Sequence, residues 1–137
     1  MKVKRIAGAL GAEISGVDLR SLTDEKVAEI RAAWLEHLVI FFRDQPLSPA
    51  EYMAFAHRIG KPIEYPLMKG IPGFPEIVEV KKLEDEKVNF GGVWHSDTAY
   101  LEVPPMASML LAREVPPHGG DTLFANMYLA YEALSPG

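Results

Sequence analysis

The stretch Val93-Trp94-His95-Ser96-Asp97 carries the two side chains from which the fold and chemistry of this chain are inferred. We predict a strand here, and residues two apart on a strand project from the same face. His95 and Asp97 should therefore point together into one cavity. An imidazole nitrogen and a carboxylate at this spacing can supply two corners of a 2-His-1-carboxylate site for Fe(II). Taken alone, however, the His-x-Asp pattern is common and also fits a hydrogen-bonded pair without a metal.

Two helices are predicted upstream of this stretch. Thr23 is placed to cap a helix whose apolar residues recur at helical spacing as far as Leu38. Ser48 caps the second helix, with Pro49 at its first position and Glu51 completing a capping box. That helix should end at Ile59, before Gly60. A stretch rich in proline and glycine follows.

Short apolar runs bounded by breakers predict the strands. The sequence favours strands within Leu10–Arg20, Val39–Phe42, Ile77–Val80, from Val93 onward, and at Met106–Ala112. Met127–Leu134 favours a last helix. The expected fold class is therefore α+β with a mainly β core, with helices early and strands later.

Several motifs in order give the chain a resemblance to a known family. The sequence resembles the TauD/TfdA family of Fe(II)/2-oxoglutarate-dependent dioxygenases over nearly its full length. The matching blocks are Leu10–Leu19, Val39–Arg43, Leu47–Glu51, Phe55–Gly60, Trp94–Asp97 with Pro104-Pro105, Gly119–Phe124 and Tyr131–Ser135. A series of motifs in the right order is far more specific than His-x-Asp alone.

The resemblance implies a double-stranded β-helix, the jelly-roll barrel of cupin type, with flanking helices. It implies that residues 1–137 are a single domain, the N-terminal half of such a barrel. His95 and Asp97 would bind Fe(II), and Thr122 would hydrogen-bond the carboxylate of the co-substrate 2-oxoglutarate. The implied reaction converts 2-oxoglutarate and O2 to succinate and CO2 while an aliphatic C–H of a small molecule is hydroxylated. Homo-oligomers are common in the family, so we expect one here.

The sequence departs from the family's pattern in its second half. The family's distal iron-binding His and its 2-oxoglutarate-binding Arg have no counterpart before Gly137. We expect a fragment, while a catalytically incomplete form or a non-catalytic binding module of the same fold remains the alternative. A third possibility is a metal-dependent cupin-type enzyme without 2-oxoglutarate. The other three histidines fit a loop or helix position better than a ligand role: His118, His57 and His37.

Substrate contacts are predicted from ungapped matching. In family members that act on taurine, a His and a Tyr after the second helix and an Asn before the iron motif contact the amino-sulfonate. The matching positions here are Tyr65, Met68 and Gly91. The polar character needed for taurine is not reproduced, so we expect another substrate, such as a less polar acid or a sulfate ester. For Tyr65 and Met68, ordinary loop packing is an equal alternative.

Composition excludes several other classes of protein. The chain of 137 residues has no cysteine, so disulfide frameworks and thiolate metal sites are ruled out. Its net charge of −5 argues against a nucleic-acid partner, which needs a surplus of Lys and Arg. No apolar run is long enough to span a membrane. A cytoplasmic location is the default expectation.

Overall fold

Three short strands form one mixed sheet near the N-terminus. The computed structural model describes residues 1–135, and Pro136 and Gly137 of the predicted domain lie outside that range. Strands β1 (Lys2–Arg5) and β2 (Ala12–Ser15) pair antiparallel, and β2 pairs in parallel with β3 (Ile40–Phe42). The predictions at Leu10–Arg20 and Val39–Phe42 are confirmed, whereas β1 was not predicted.

Helix α1 (Asp24–His37) connects β2 to β3 and covers the sheet. Its start is the predicted one, because the Thr23 hydroxyl accepts a hydrogen bond from the backbone N–H of Lys26 at 3.3 Å. Ile30 and Ala33 are buried on its inner face. Parallel strands need a long connection between them, and α1 provides it.

The other two helices lie outside this sheet. Helix α2 (Pro49–Ile59) has the predicted capping box, with the Ser48 backbone N–H donating to Glu51 Oε2 at 2.8 Å. Helix α3 (Met127–Glu132) begins after Asn126, whose side-chain oxygen caps it. It ends two residues earlier than predicted. None of the helices described between residues 1 and 135 is long and apolar enough to cross a membrane.

The later predicted strands are wrong for this structure. Ile77–Val80, the stretch from Val93 and Met106–Ala112 are in neither helix nor strand. A strand requires a second strand to pair with, and these segments pair with no strand among the described residues. The side chains of these segments are largely exposed, and Trp94, expected in the core, is 71% exposed. The described residues therefore form a small mixed α and β structure and no barrel.

Two compact units can be distinguished in the chain. One comprises Met1–Leu47 together with the segment from Ala112 onward, and the other is Ser48–Leu111. The first contains the sheet, α1, α3 and most of the buried apolar side chains. The second contains α2, with Phe55 buried, and the predicted iron ligands.

Candidate metal centre

His95 and Asp97 meet in the structure although their segment is not a strand. His95 Nε2 lies 3.1 Å from Asp97 Oδ1. Thr98 follows directly, and it is buried with a positive φ of 44°, a conformation that β-branched residues rarely adopt. Its carbonyl oxygen accepts a hydrogen bond from the N–H of Leu101 at 3.2 Å, so a turn ends the motif. The two side chains meet as expected, but the expected strand alternation is wrong, and their role as iron ligands stays a prediction.

The remaining polar atoms of the pair are held by neighbours. His95 Nδ1 lies 2.7 Å from the carbonyl oxygen of Val93. A carbonyl oxygen can only accept, so Nδ1 carries the proton and a neutral ring keeps its lone pair on Nε2. Asp97 Oδ2 accepts a hydrogen bond from the Ser108 hydroxyl at 2.5 Å. Nε2 and Oδ1 are therefore the atoms of the pair that face each other.

This donor set fits a divalent transition metal. A neutral imidazole nitrogen and a carboxylate oxygen side by side present two lone pairs that one cation could accept, although a protonated Nε2 donating to Oδ1 fits the same distance. A hydrogen bond from the other ring nitrogen to a carbonyl is the usual support of a metal-binding histidine. Among residues 1–135 no group of three or more His, Cys, Asp or Glu side chains could hold a metal. The described residues thus bring two such side chains together at this point.

Both side chains remain accessible to water. The side chain of His95 is 48% exposed and that of Asp97 is 52% exposed. Half-exposed side chains leave room for further groups around the pair. They also leave the pair without the enclosure that most small-molecule sites have.

Gly91 is the predicted substrate-contact position that lies next to His95 in the structure. It has a positive φ of 67°, and a Cβ added there would lie 3.1 Å from His95 Cε1. Tyr65 and Met68 instead share a turn, with Met68 N–H donating to the Tyr65 carbonyl at 3.4 Å. Hydrogen bonds among the described residues link neither of them to His95 or Asp97.

Thr122 belongs to the other compact unit, at an exposed position outside helix and strand. Two residues on, Phe124 packs edge-to-face against Phe41, with ring centroids 6.2 Å apart. This contact gives Phe124 a structural role. The predicted role of Thr122 toward 2-oxoglutarate stays a prediction.

The other histidines occupy positions that suit their local structure. His37 is the last residue of α1, where its charge would be favourable, and its side chain is largely covered. It helps to line a shallow groove of about 490 Å³ between β1 and α1, along with Val3, Glu29 and Glu36. His57 lies in the last turn of α2 and is exposed. His118 lies in an exposed bend.

Sequence reasoning missed Ser108 and Thr98. Ser108 lies within an apolar run predicted as a strand, and a single serine in such a run gives no sign of a functional contact. Thr98 follows the motif, and nothing in its residue type signals a positive φ. Only the three-dimensional contacts show that both belong to the surroundings of Asp97.

The His-x-Asp pair brings together an imidazole nitrogen and a carboxylate oxygen, two of the donor types that mononuclear non-haem iron sites use. Residues 2–137 match the family model described as Taurine catabolism dioxygenase TauD, TfdA family. The chain belongs to this family. Three relatives are described next: an alkylsulfatase, a sulfate ester dioxygenase and a taurine dioxygenase.

Within the aligned segment, individual relatives are identical to the chain at about a third of the positions. An alkylsulfatase of Acinetobacter baylyi is 35% identical over 136 residues, covering 98% of this chain and 42% of the relative. An alpha-ketoglutarate-dependent sulfate ester dioxygenase of Pseudomonas putida is also 35% identical over 136 residues, covering 98% of the chain and 44% of the relative. The chain thus spans less than half the length of these curated relatives.

Solved structures similar to this chain include an enzyme of the same kind. A taurine dioxygenase from Burkholderia xenovorans is 38% identical and superimposes with a TM-score of 0.50, covering 54% of this chain and 27% of that one. The superimposable part is therefore about half of the chain.

Proposed function

We propose that the whole protein is an Fe(II)- and 2-oxoglutarate-dependent dioxygenase that hydroxylates an aliphatic C–H of a small molecule. The observation that supports this most directly is the convergence of His95 Nε2 and Asp97 Oδ1, 3.1 Å apart, in a chain of the TauD/TfdA family. His95 and Asp97 would hold the metal through these two atoms. The Val93 carbonyl and the Ser108 hydroxyl would keep both side chains in the binding orientation.

The co-substrate would be held by residues other than this pair. Bound Fe(II) would supply the activation of O2, coupled to conversion of 2-oxoglutarate to succinate and CO2. The Thr122 hydroxyl would donate a hydrogen bond to the 2-oxoglutarate carboxylate, and a donor to a charged acceptor forms a strong hydrogen bond. The whole protein would form one jelly-roll barrel domain. Residues 1–137 would form the N-terminal part of that single domain.

For the substrate we propose a sulfate ester in preference to taurine. The relatives from Acinetobacter baylyi and Pseudomonas putida carry names of sulfate-ester chemistry. Tyr65, Met68 and Gly91 offer no basic side chain at the three positions predicted to contact substrate. Gly91 lies directly against the His95 ring and contributes no side chain that could contact a charged head group. The polar contacts that taurine would need are not reproduced at these positions, so the proposal follows the names of the two relatives and departs from taurine.

Anaerobic addition of Fe(II) and 2-oxoglutarate tests the proposal. The whole protein should develop the weak visible absorption band of an iron-bound 2-oxo acid, and under air it should form succinate. His95→Ala and Asp97→Ala should lose the band, whereas His118→Ala, the matched control in an exposed bend, should keep it. A band that survives in His95→Ala would contradict the assignment.

A metal-free binding module of the same fold is the second candidate. It is favoured by the presence of only two metal-ligating side chains at the site within residues 1–135. Such a module would stay folded and monodisperse and would bind no Fe(II). Succinate formation by the whole protein would exclude this candidate.

A further inference from the structure

Ser108 makes a contact that neither the motif nor the family match assigns. Its hydroxyl donates to Asp97 Oδ2 at 2.5 Å, from a position eleven residues further along the chain. A hydrogen bond from a hydroxyl to an ionised carboxylate is short and strong. Because Oδ2 is engaged, Oδ1 is the oxygen that turns toward His95 Nε2. Ser108 thereby sets the rotation of the carboxylate.

The segment that carries Ser108 is itself attached to helix α2. The Tyr52 hydroxyl donates to the carbonyl oxygen of Met109 at 2.5 Å. At the other end of α2, a Cβ added to Gly60 would lie 2.8 Å from Met106 Sδ, so this side chain lies directly against the helix end. Residues on both sides of Ser108 therefore contact α2.

The Tyr52 hydroxyl is suited to this task over a wide pH range. Burial raises the pKa of Tyr52 to about 12, because the phenolate would be poorly solvated there. The hydroxyl therefore keeps its proton and remains a donor to Met109 at any ordinary pH.

We propose that Ser108 is a positioning residue for the metal ligand Asp97, and that α2 holds Ser108 in place through Tyr52. The order of contacts is α2, Tyr52, Met109, Ser108 and then Asp97. The inference rests on the proposed function in that Asp97 acts as a ligand. A carboxylate fixed in advance binds a metal more tightly than one that must first be ordered, and loss of such support typically costs about 10- to 100-fold in metal affinity.

The test compares Ser108→Ala and Ser108→Thr in the whole protein. Fe(II) affinity is measured anaerobically in the presence of 2-oxoglutarate. The Asp97 side-chain carboxyl ¹³C signal is recorded at neutral pH in the metal-free protein. We expect Ser108→Ala to weaken Fe(II) binding about tenfold or more and to move the Asp97 signal. Ser108→Thr keeps the hydroxyl and should leave the Fe(II) affinity and the Asp97 signal near their wild-type values. Ser96→Ala is the control, because it removes the hydroxyl of a different serine close to the ligands.

Tyr52→Phe tests the second link. It keeps the aromatic ring and removes the donor to Met109, so Fe(II) affinity should fall by less than in Ser108→Ala while the Asp97 signal moves in the same direction. An unchanged Asp97 signal in Tyr52→Phe would remove α2 from the proposal.

The outcomes separate this inference from the proposed function. If the wild type binds Fe(II) and Ser108→Ala binds it equally well with an unmoved Asp97 signal, the positioning role is wrong and the proposed function stands. If the wild type binds no Fe(II), the proposed function is wrong. The Asp97 signal in the metal-free protein then decides whether Ser108 holds the carboxylate.

Discussion

Gly91 lies so close to His95 that any side chain would press on the ring. A Cβ at this position would approach His95 Cε1 to 3.1 Å and Nε2 to 3.7 Å. Gly91→Ala should therefore displace the imidazole and weaken Fe(II) binding roughly tenfold, the size expected when the support of a metal ligand is disturbed. Anaerobic Fe(II) titration of the whole protein measures this.

Gly73 provides the matched control for that substitution. It also has a positive φ, 82°, but a Cβ there would meet no atom within 4 Å. Gly73→Ala carries the same backbone cost of about 1–2 kcal/mol for a left-handed residue without touching the site. Equal losses of Fe(II) affinity in the two variants would show that crowding of His95 is not the cause.

Asp18 and Arg20 form a second residue-scale contact with a measurable pH signature. The Arg20 guanidinium donates to both carboxylate oxygens, at 2.9 and 2.8 Å, and its backbone N–H donates at 3.0 Å. These hydrogen bonds lower the pKa of Asp18 from 3.8 to about 2. Because the folded pKa is the lower one, the resulting stabilisation is present above about pH 3.8 and is lost as the pH falls through about 2.

Arg20→Ala should accordingly raise the pKa of Asp18 toward its ordinary value. The stability difference between Arg20→Ala and wild type should be constant near neutral pH and shrink toward pH 2. An NMR titration of the Asp18 carboxyl and urea unfolding at several pH values measure the two effects. In an Asp18→Asn background the same substitution should show no such pH dependence, and a dependence that persists there would assign it to another group.

Which site residues could be predicted depends on how local their contacts are. His95 and Asp97 are two positions apart, so a local bend of the chain is enough to bring their side chains together, and they meet without the predicted strand. Ser108 contacts Asp97 across eleven residues, and no local pattern encodes that contact. Gly91 was predicted for substrate contact, yet its observed neighbour is the ring of a proposed ligand.

At the scale of elements, the start of α2 depends on a reciprocal cap. The Ser48 hydroxyl accepts a hydrogen bond from the Glu51 N–H at 3.3 Å, and Glu51 Oε2 accepts one from the Ser48 N–H at 2.8 Å. Ser48→Ala removes the acceptor and should destabilise the protein by about 1 kcal/mol in urea unfolding. Ser48→Asp keeps an acceptor and should stay near wild type. Equal losses in both variants would place the effect outside the cap.

Helices and strands differ in how far the sequence determines them. The Thr23 and Ser48 caps are local signals, so both helix starts were predicted to the residue. Ile77–Val80 and Met106–Ala112 have strand-like composition, but a strand forms only when another segment pairs with it. β1 was missed for the opposite reason. Its sequence Lys2-Val3-Lys4-Arg5 is polar and lacks apolar alternation, yet it pairs with β2 as an edge strand.

At the scale of the whole molecule, apolar side chains are distributed unevenly. Most of the buried ones lie in the first 47 residues: Ala12, Ile14, Leu19, Ile30, Ala33 and Leu47. From Val88 onward, large apolar residues are mainly exposed, including Val93, Trp94, Val103 and Leu110. Proteins rarely leave so much apolar surface in water unless another surface covers it. The composition of this segment suits a buried sheet, which explains why the sequence predicted one.

Trp94 can report whether such a cover forms. It is 71% exposed, while Trp34 is partly covered and donates its Nε1–H to the Leu38 carbonyl at 3.1 Å. In the 137-residue chain, a Trp34→Phe variant should emit like a water-exposed tryptophan and be strongly quenched by acrylamide. A Trp94→Phe variant should be quenched less.

When the chain is produced at the length of its relatives, Trp94 emission should shift to the blue and acrylamide should quench it less, because burial of an aromatic side chain is favourable. A Trp94 that stays quenched at that length would show that this segment is not part of a completed core, and would count against the jelly-roll barrel as the proposed fold.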